Sequence, residues 1–75
     1  MESMDKEIKS TSQLFNELVS KIKKDIKTNG IRVVEYKRTY LQEHSVAARP
    51  EVNLTYEQNL RAYNLVIEQY RESIE

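Results

Sequence analysis

Apolar side chains return at alternating intervals of four and three in two stretches of this chain. In the first, Met4, Ile8, Thr11, Phe15, Leu18 and Ile22 form a row, Ile26 extends it, and Leu14 and Val19 widen it. An α-helix turns once in about 3.6 residues, so this spacing gathers the row onto one face. Two starts compete. Ser3 offers an early cap, whereas Ser10 followed by Gln13 has the spacing of a capping box, in which each side chain accepts from the other residue's backbone N–H. Residues 1–9 are read as frayed or helical. The end is better marked, because Lys21, Lys23, Lys24 and Lys27 gather ahead of Asn29 and Gly30. Cations favour the negative end of a helix and glycine suits a left-handed cap. The helix should stop near Thr28.

The second row, Tyr56, Leu60, Tyr63, Ile67, Tyr70 and Ile74, has Val66 beside it and no glycine or proline within it. Thr55 and Gln58 form another capping-box pair. Pro50 disfavours helical geometry at Arg49, so this helix should start between residues 52 and 56.

The stretch between them pulls two ways. Ile31, Val33, Val34, Tyr36, Thr39 and Tyr40 favour a strand, while Leu41 to Ala48 favours a helix. No other segment reads as a strand, so a strand here would have to pair with a second copy of the chain to satisfy its backbone. A helix is the preferred reading, and Asn29-Gly30 is then a helix cap and not a hairpin turn. The expected fold is all-α: one helical domain over residues 1–75, built as a small three-helix bundle or a helical hairpin.

Size and charge sharpen this picture. A chain of 75 residues has a small core, which rarely supplies more than about 3–5 kcal/mol without a staple. Cysteine is absent, which removes disulfides and thiolate metal sites and leaves oligomerisation or partner binding as the staple. Hydrophobic residues make up 39 % and charged residues 32 %, too apolar at zero net charge for a disordered tail. The N-terminal Met-Glu-Ser-Met-Asp-Lys has no apolar run of signal-peptide or membrane-span length, so a cytoplasmic protein with no membrane partner is expected. The zero net charge is unevenly spread: residues 21–38 carry seven basic and two acidic side chains, and both flanks are acidic. Glu68, Glu72 and Glu75 oppose the dipole at the end of the last helix. An up-down-up bundle would set them beside Lys21, Lys24 and Lys27.

The inventory of reactive groups points away from an enzyme. A serine triad would depend on His44 alone for its base, and Glu43 and His44 are sequence neighbours that do not share a helix face, which is poor metal-ligand geometry. Gly30 is the single glycine, so no phosphate-cradling loop is present. Glu68 and Glu72 stand one turn apart and read as a solvated acidic patch more readily than as an acid–base pair. The expectation is no catalytic residue, no metal, no cofactor and no small-molecule substrate.

Two surfaces carry binding expectations. Tyr56, Leu60, Tyr63, Ile67 and Tyr70, with Arg61 and Arg71 as anchors, form a tyrosine-bearing face for a protein partner or a second copy. The bland alternative is that the same stripe is the core of the bundle. Lys21, Lys23, Lys24, Lys27, Arg32, Lys37 and Arg38, with Tyr36 and Tyr40 within reach, could instead meet phosphates while the rings stack on bases; their bland alternative is a solvated cluster stabilising a helix end. Lys21, Ile22, Asp25, Ile26, Gly30 and Ile31, followed by Asn59-Leu60-Arg61-Ala62-Tyr63, resemble pieces of the theta subunit family of bacterial replicative DNA polymerase. That resemblance implies a small helical module stabilising a proofreading subunit. The spacing is longer here and the residues between depart from the pattern, so no family is assigned. The leading expectation is a non-enzymatic protein-binding module, an accessory subunit, regulator or inhibitor; the alternative is a nucleic-acid-associated protein using residues 21–38.

Overall fold

The computed structural model describes residues 9–44 and 49–74. The expectations placed on Ser3, Met4, Ile8, Glu75 and the helical reading of residues 45–48 lie outside them. Three helices follow one another: α1 (Thr11–Asn29), α2 (Ile31–Glu43) and α3 (Tyr56–Ile74). Both capping boxes form. The Gln13 N–H donates to Ser10 Oγ at 3.1 Å and the Ser10 N–H donates to Gln13 Oε1 at 3.1 Å. The Gln58 N–H donates to Thr55 Oγ1 at 3.0 Å and the Thr55 N–H donates to Gln58 Oε1 at 2.9 Å. α1 therefore starts at the later of its two candidate caps.

The strand-favouring middle segment is helical. Its β-branched and aromatic residues have modest helix propensity, but packing decides: Val34 and Leu41 are fully buried at a spacing of seven, which only a helix places on one face. Leu18 and Ile22 of α1, Leu54 of the linker and Ala62, Tyr63, Val66 and Ile67 of α3 complete the core. Each fully buried aliphatic side chain contributes about 1.5–3 kcal/mol before chain entropy is subtracted.

The topology is up-down-up. Phe15 shares a groove with Gln58 and Leu65 near one end, and Lys27 shares another with Tyr70 and Ser73 near the other, so α1 and α3 run parallel. On α2, Glu35 meets Arg71 and Arg38 meets Asn64, so α2 runs against α3.

Gly30 ends α1 and begins α2 with nothing between. Its N–H donates to the Ile26 carbonyl at 2.8 Å, and its φ of 95° and ψ of 159° carry the chain through the sharp reversal. The positive φ was expected; the extended ψ was not, and it places Gly30 outside the left-handed helical region, in one open to glycine almost alone. Open space lies where a Cβ would stand, so the obstacle to substitution is backbone conformation. Gly30→Ala should lower stability by about 1–3 kcal/mol in urea unfolding. An unchanged midpoint would show that the reversal tolerates an L-residue.

The expected charge pairing needs correction although the topology that suggested it is right. Among the described residues no ion pair joins Glu68 or Glu72 to Lys21, Lys24 or Lys27. Successive helical residues are about 100° apart, which sends Lys23 and Lys27 to the α3 side of α1 but Lys21 and Lys24 to the side that holds Asp25. The bundle is tied instead through α2: Lys37 Nζ donates to Asp25 Oδ2 at 2.7 Å, and Arg71 pairs with Glu35.

Candidate binding surface

The tyrosine row of α3 is divided by the packing. Tyr63 and Ile67 are buried, 6 % and 2 % exposed, and belong to the core. Tyr56 and Leu60 are half-buried against it. Tyr70 lies in the groove with Lys23, Ile26 and Lys27. Arg61 is exposed on the far side beside Phe15 and Leu65, and Arg71 is engaged with Glu35. These residues do not form one outward face, because the 4-3 spacing that aligned them also points the row inward.

The basic residues are likewise split. Lys21 and Lys24 border a shallow hollow with Asp25, while Lys23 and Lys27 border the α1–α3 groove. Lys37 is bound to Asp25, Arg38 Nη1 donates to Asn64 Oδ1 at 2.6 Å, and Arg32 is exposed. The Asp25 carboxylate also accepts from Asn29 Nδ2 at 2.6 Å. The Lys37 hydrogen bond, followed by that of Asn29, holds the Asp25 carboxyl below the usual carboxylate range, and the Asp25 hydrogen bond raises Lys37 in return.

One surface emerges that the stripes did not mark out. Tyr36 and Tyr40, one turn apart on α2, are 68 % and 44 % exposed, with ring centroids 6.4 Å apart. His44, a further turn along, lies with its ring 4.4 Å from that of Tyr40. Tyr36, Lys37 and Tyr40 border a shallow depression with Pro50 and the edge of Tyr63. Val33 is also exposed on α2, and Val52 on the linker. The signal was present in the sequence as Tyr36, Tyr40 and His44 at intervals of four, but it was masked by the strand-like composition around it.

The linker that brings Pro50 to this surface is held by Asn59. This asparagine is fully buried. Its Oδ1 accepts from the Glu51 N–H at 3.0 Å, and its Nδ2 donates to the carbonyls of Glu51, Leu54 and Thr55 at 3.0, 3.3 and 2.9 Å. Arg49 Nη1 closes the loop by donating to the Leu54 carbonyl at 3.0 Å.

Among the described residues no helix is long and apolar enough to cross a membrane, and no group of three or more His, Asp or Glu side chains is placed to hold a metal ion. No family model, curated protein or solved structure matches this chain.

Proposed function

We propose that this chain is a small, non-enzymatic protein-binding module of the cytoplasm, acting as an accessory subunit, regulator or inhibitor. Its contact face is the outward aromatic side of α2. The observation that carries this reading is the exposure of Tyr36 and Tyr40 side by side. Tyrosine has an apolar ring to bury and a hydroxyl that tolerates water, so it suits a surface that is covered only when a partner docks. Of the tyrosine row expected on α3, Tyr70 borders the separate α1–α3 groove, and Tyr63 and Ile67 hold the bundle together.

The test is a photoreactive benzophenone side chain placed at position 36, irradiated in cells, with the same group at exposed Glu57 as the control. Position 36 should give discrete protein adducts and position 57 few. Equal or absent adducts at position 36 would remove α2 as the contact face.

A nucleic-acid reading draws on one observation. Lys37 lies between the two tyrosines in sequence, and its partner Asp25 borders the same hollow as Lys21 and Lys24, so rings and cations lie on neighbouring surfaces. Retention of a single-stranded oligonucleotide that falls steeply with added salt, and is lost in Lys24→Glu/Lys37→Glu, would favour it over the protein-binding reading.

A further inference from the structure

We infer that the partner of the α2 face is a second copy of this chain, docked antiparallel so that α2 lies on α2 about a two-fold axis. This deepens the protein-binding reading and rests on it. Arg32, Tyr36, Thr39 and Glu43 are spaced four, three and four residues apart on α2 and are all exposed. This is the spacing that runs along the seam of a packed helix pair, and it is a palindrome. Reversing one copy against the other sets Arg32 opposite Glu43 of the second copy at both ends and Tyr36 opposite Thr39 in the middle, with Tyr40 alongside. The surface is therefore complementary to itself, as a two-fold interface requires.

The helix ends supply an independent argument. α2 has no acidic residue in its first turn and no basic residue in its last. Arg32 stands near the positive end of the helix dipole and Glu43 at the negative end, so each charge opposes its own helix. Neither has an ion-pair partner among the described residues, in contrast to Lys37 and Glu35 on the same helix. The antiparallel copy answers both defects, because it brings a glutamate to the positive end of α2 and an arginine to the negative end. A helix of 13 residues is about 20 Å long, so the contact is small and the dimer weak, with dissociation in the micromolar range or above.

Sedimentation across concentrations from about 1 μM to about 1 mM, spanning that range, tests this. The wild-type mass should climb from 8.9 kDa towards twice that value. Arg32→Glu and Glu43→Arg should each weaken association by about tenfold or more, and the two together should regain association relative to either alone. Both single changes move charge to the favourable helix end, so lost association cannot be ascribed to a weakened fold, and circular dichroism should show helix content maintained. A chain that stays monomeric, or a double reversal that fails to recover, overturns the dimer. In the photo-crosslinking experiment, adducts to other proteins without a self-adduct would overturn the dimer but keep the protein-binding reading, and absence of adducts would overturn both.

Discussion

Asn59→Ala should unfold this protein or bring it to the edge of unfolding. The side chain is fully buried and satisfies the Glu51 N–H and the carbonyls of Glu51, Leu54 and Thr55. Alanine removes these bonds together; the three carbonyls keep a second donor each, from the Leu54 N–H, Arg49 and the Asn59 N–H, and the Glu51 N–H loses its partner. The unpaired Glu51 N–H costs about 1–3 kcal/mol, and each of the other lost hydrogen bonds about 0.5–1.5 kcal/mol. A net loss of about 2–4 kcal/mol compares with the roughly 3–5 kcal/mol that a core of this size supplies. Thermal unfolding should therefore move down by at least about 8 °C, since about 1 kcal/mol shifts a domain of this length by about 4–8 °C. Asn59→Asp keeps the shape and the acceptor for the Glu51 N–H but sets a buried carboxylate against the three carbonyl oxygens. It should be nearly as damaging, and a mild effect would mean that the carbonyls do not depend on Asn59.

The role of Asn59 could not be read from the sequence, where it lies between the helical positions Tyr56 and Leu60 as an ordinary polar residue. Its function comes from the linker folding back over the first turn of α3, a contact between residues eight apart across a turn. What was legible was local. The serine and threonine caps, the glycine stop and the two apolar rows depend on neighbours within one or two helical turns, and each formed within a residue or so of its expected place. Side-chain partners across helices were not legible. The parallel run of α1 and α3 could be argued from charge, yet the pairing itself went through Asp25, Glu35 and α2, because a one-residue step rotates a lysine by about 100°. The tyrosine row shows the same limit. Its period identifies the face of α3 that is apolar, but not whether that face meets α1 and α2 or a partner.

Tyr63 shows how that division should appear in experiments. Tyr63→Ala removes a buried ring from between the helices and should cost about 3–5 kcal/mol, the range for large aromatic truncations, leaving little folded protein. Tyr70→Ala empties one side of an open groove and should cost much less. Equal losses would mean that Tyr63 is not the core residue its burial indicates. Tyr63→Phe tests the hydroxyl without the ring. Burial raises the Tyr63 phenol above the ordinary tyrosine value, opposed by Lys37 and reinforced by Asp25. The neutral phenol is favoured in the folded state, so its share of stability is present below about pH 10, the unfolded value, and is lost as pH rises above it. Lys37, raised by its bond to Asp25, acts in the same direction at slightly higher pH: its contribution fades as the pH passes its folded value. Asp25, depressed by that bond, acts at the other end, with a contribution lost as pH falls below the ordinary aspartate value of 3.8. About half of the Lys37 side chain faces solvent, and screening there keeps the acid and alkaline effects of the pair small. The buried phenol should dominate the alkaline limb. Urea midpoints measured from pH 8 to pH 11 should fall in the wild type and flatten in Tyr63→Phe, whereas an unchanged slope would assign the alkaline loss to Lys37.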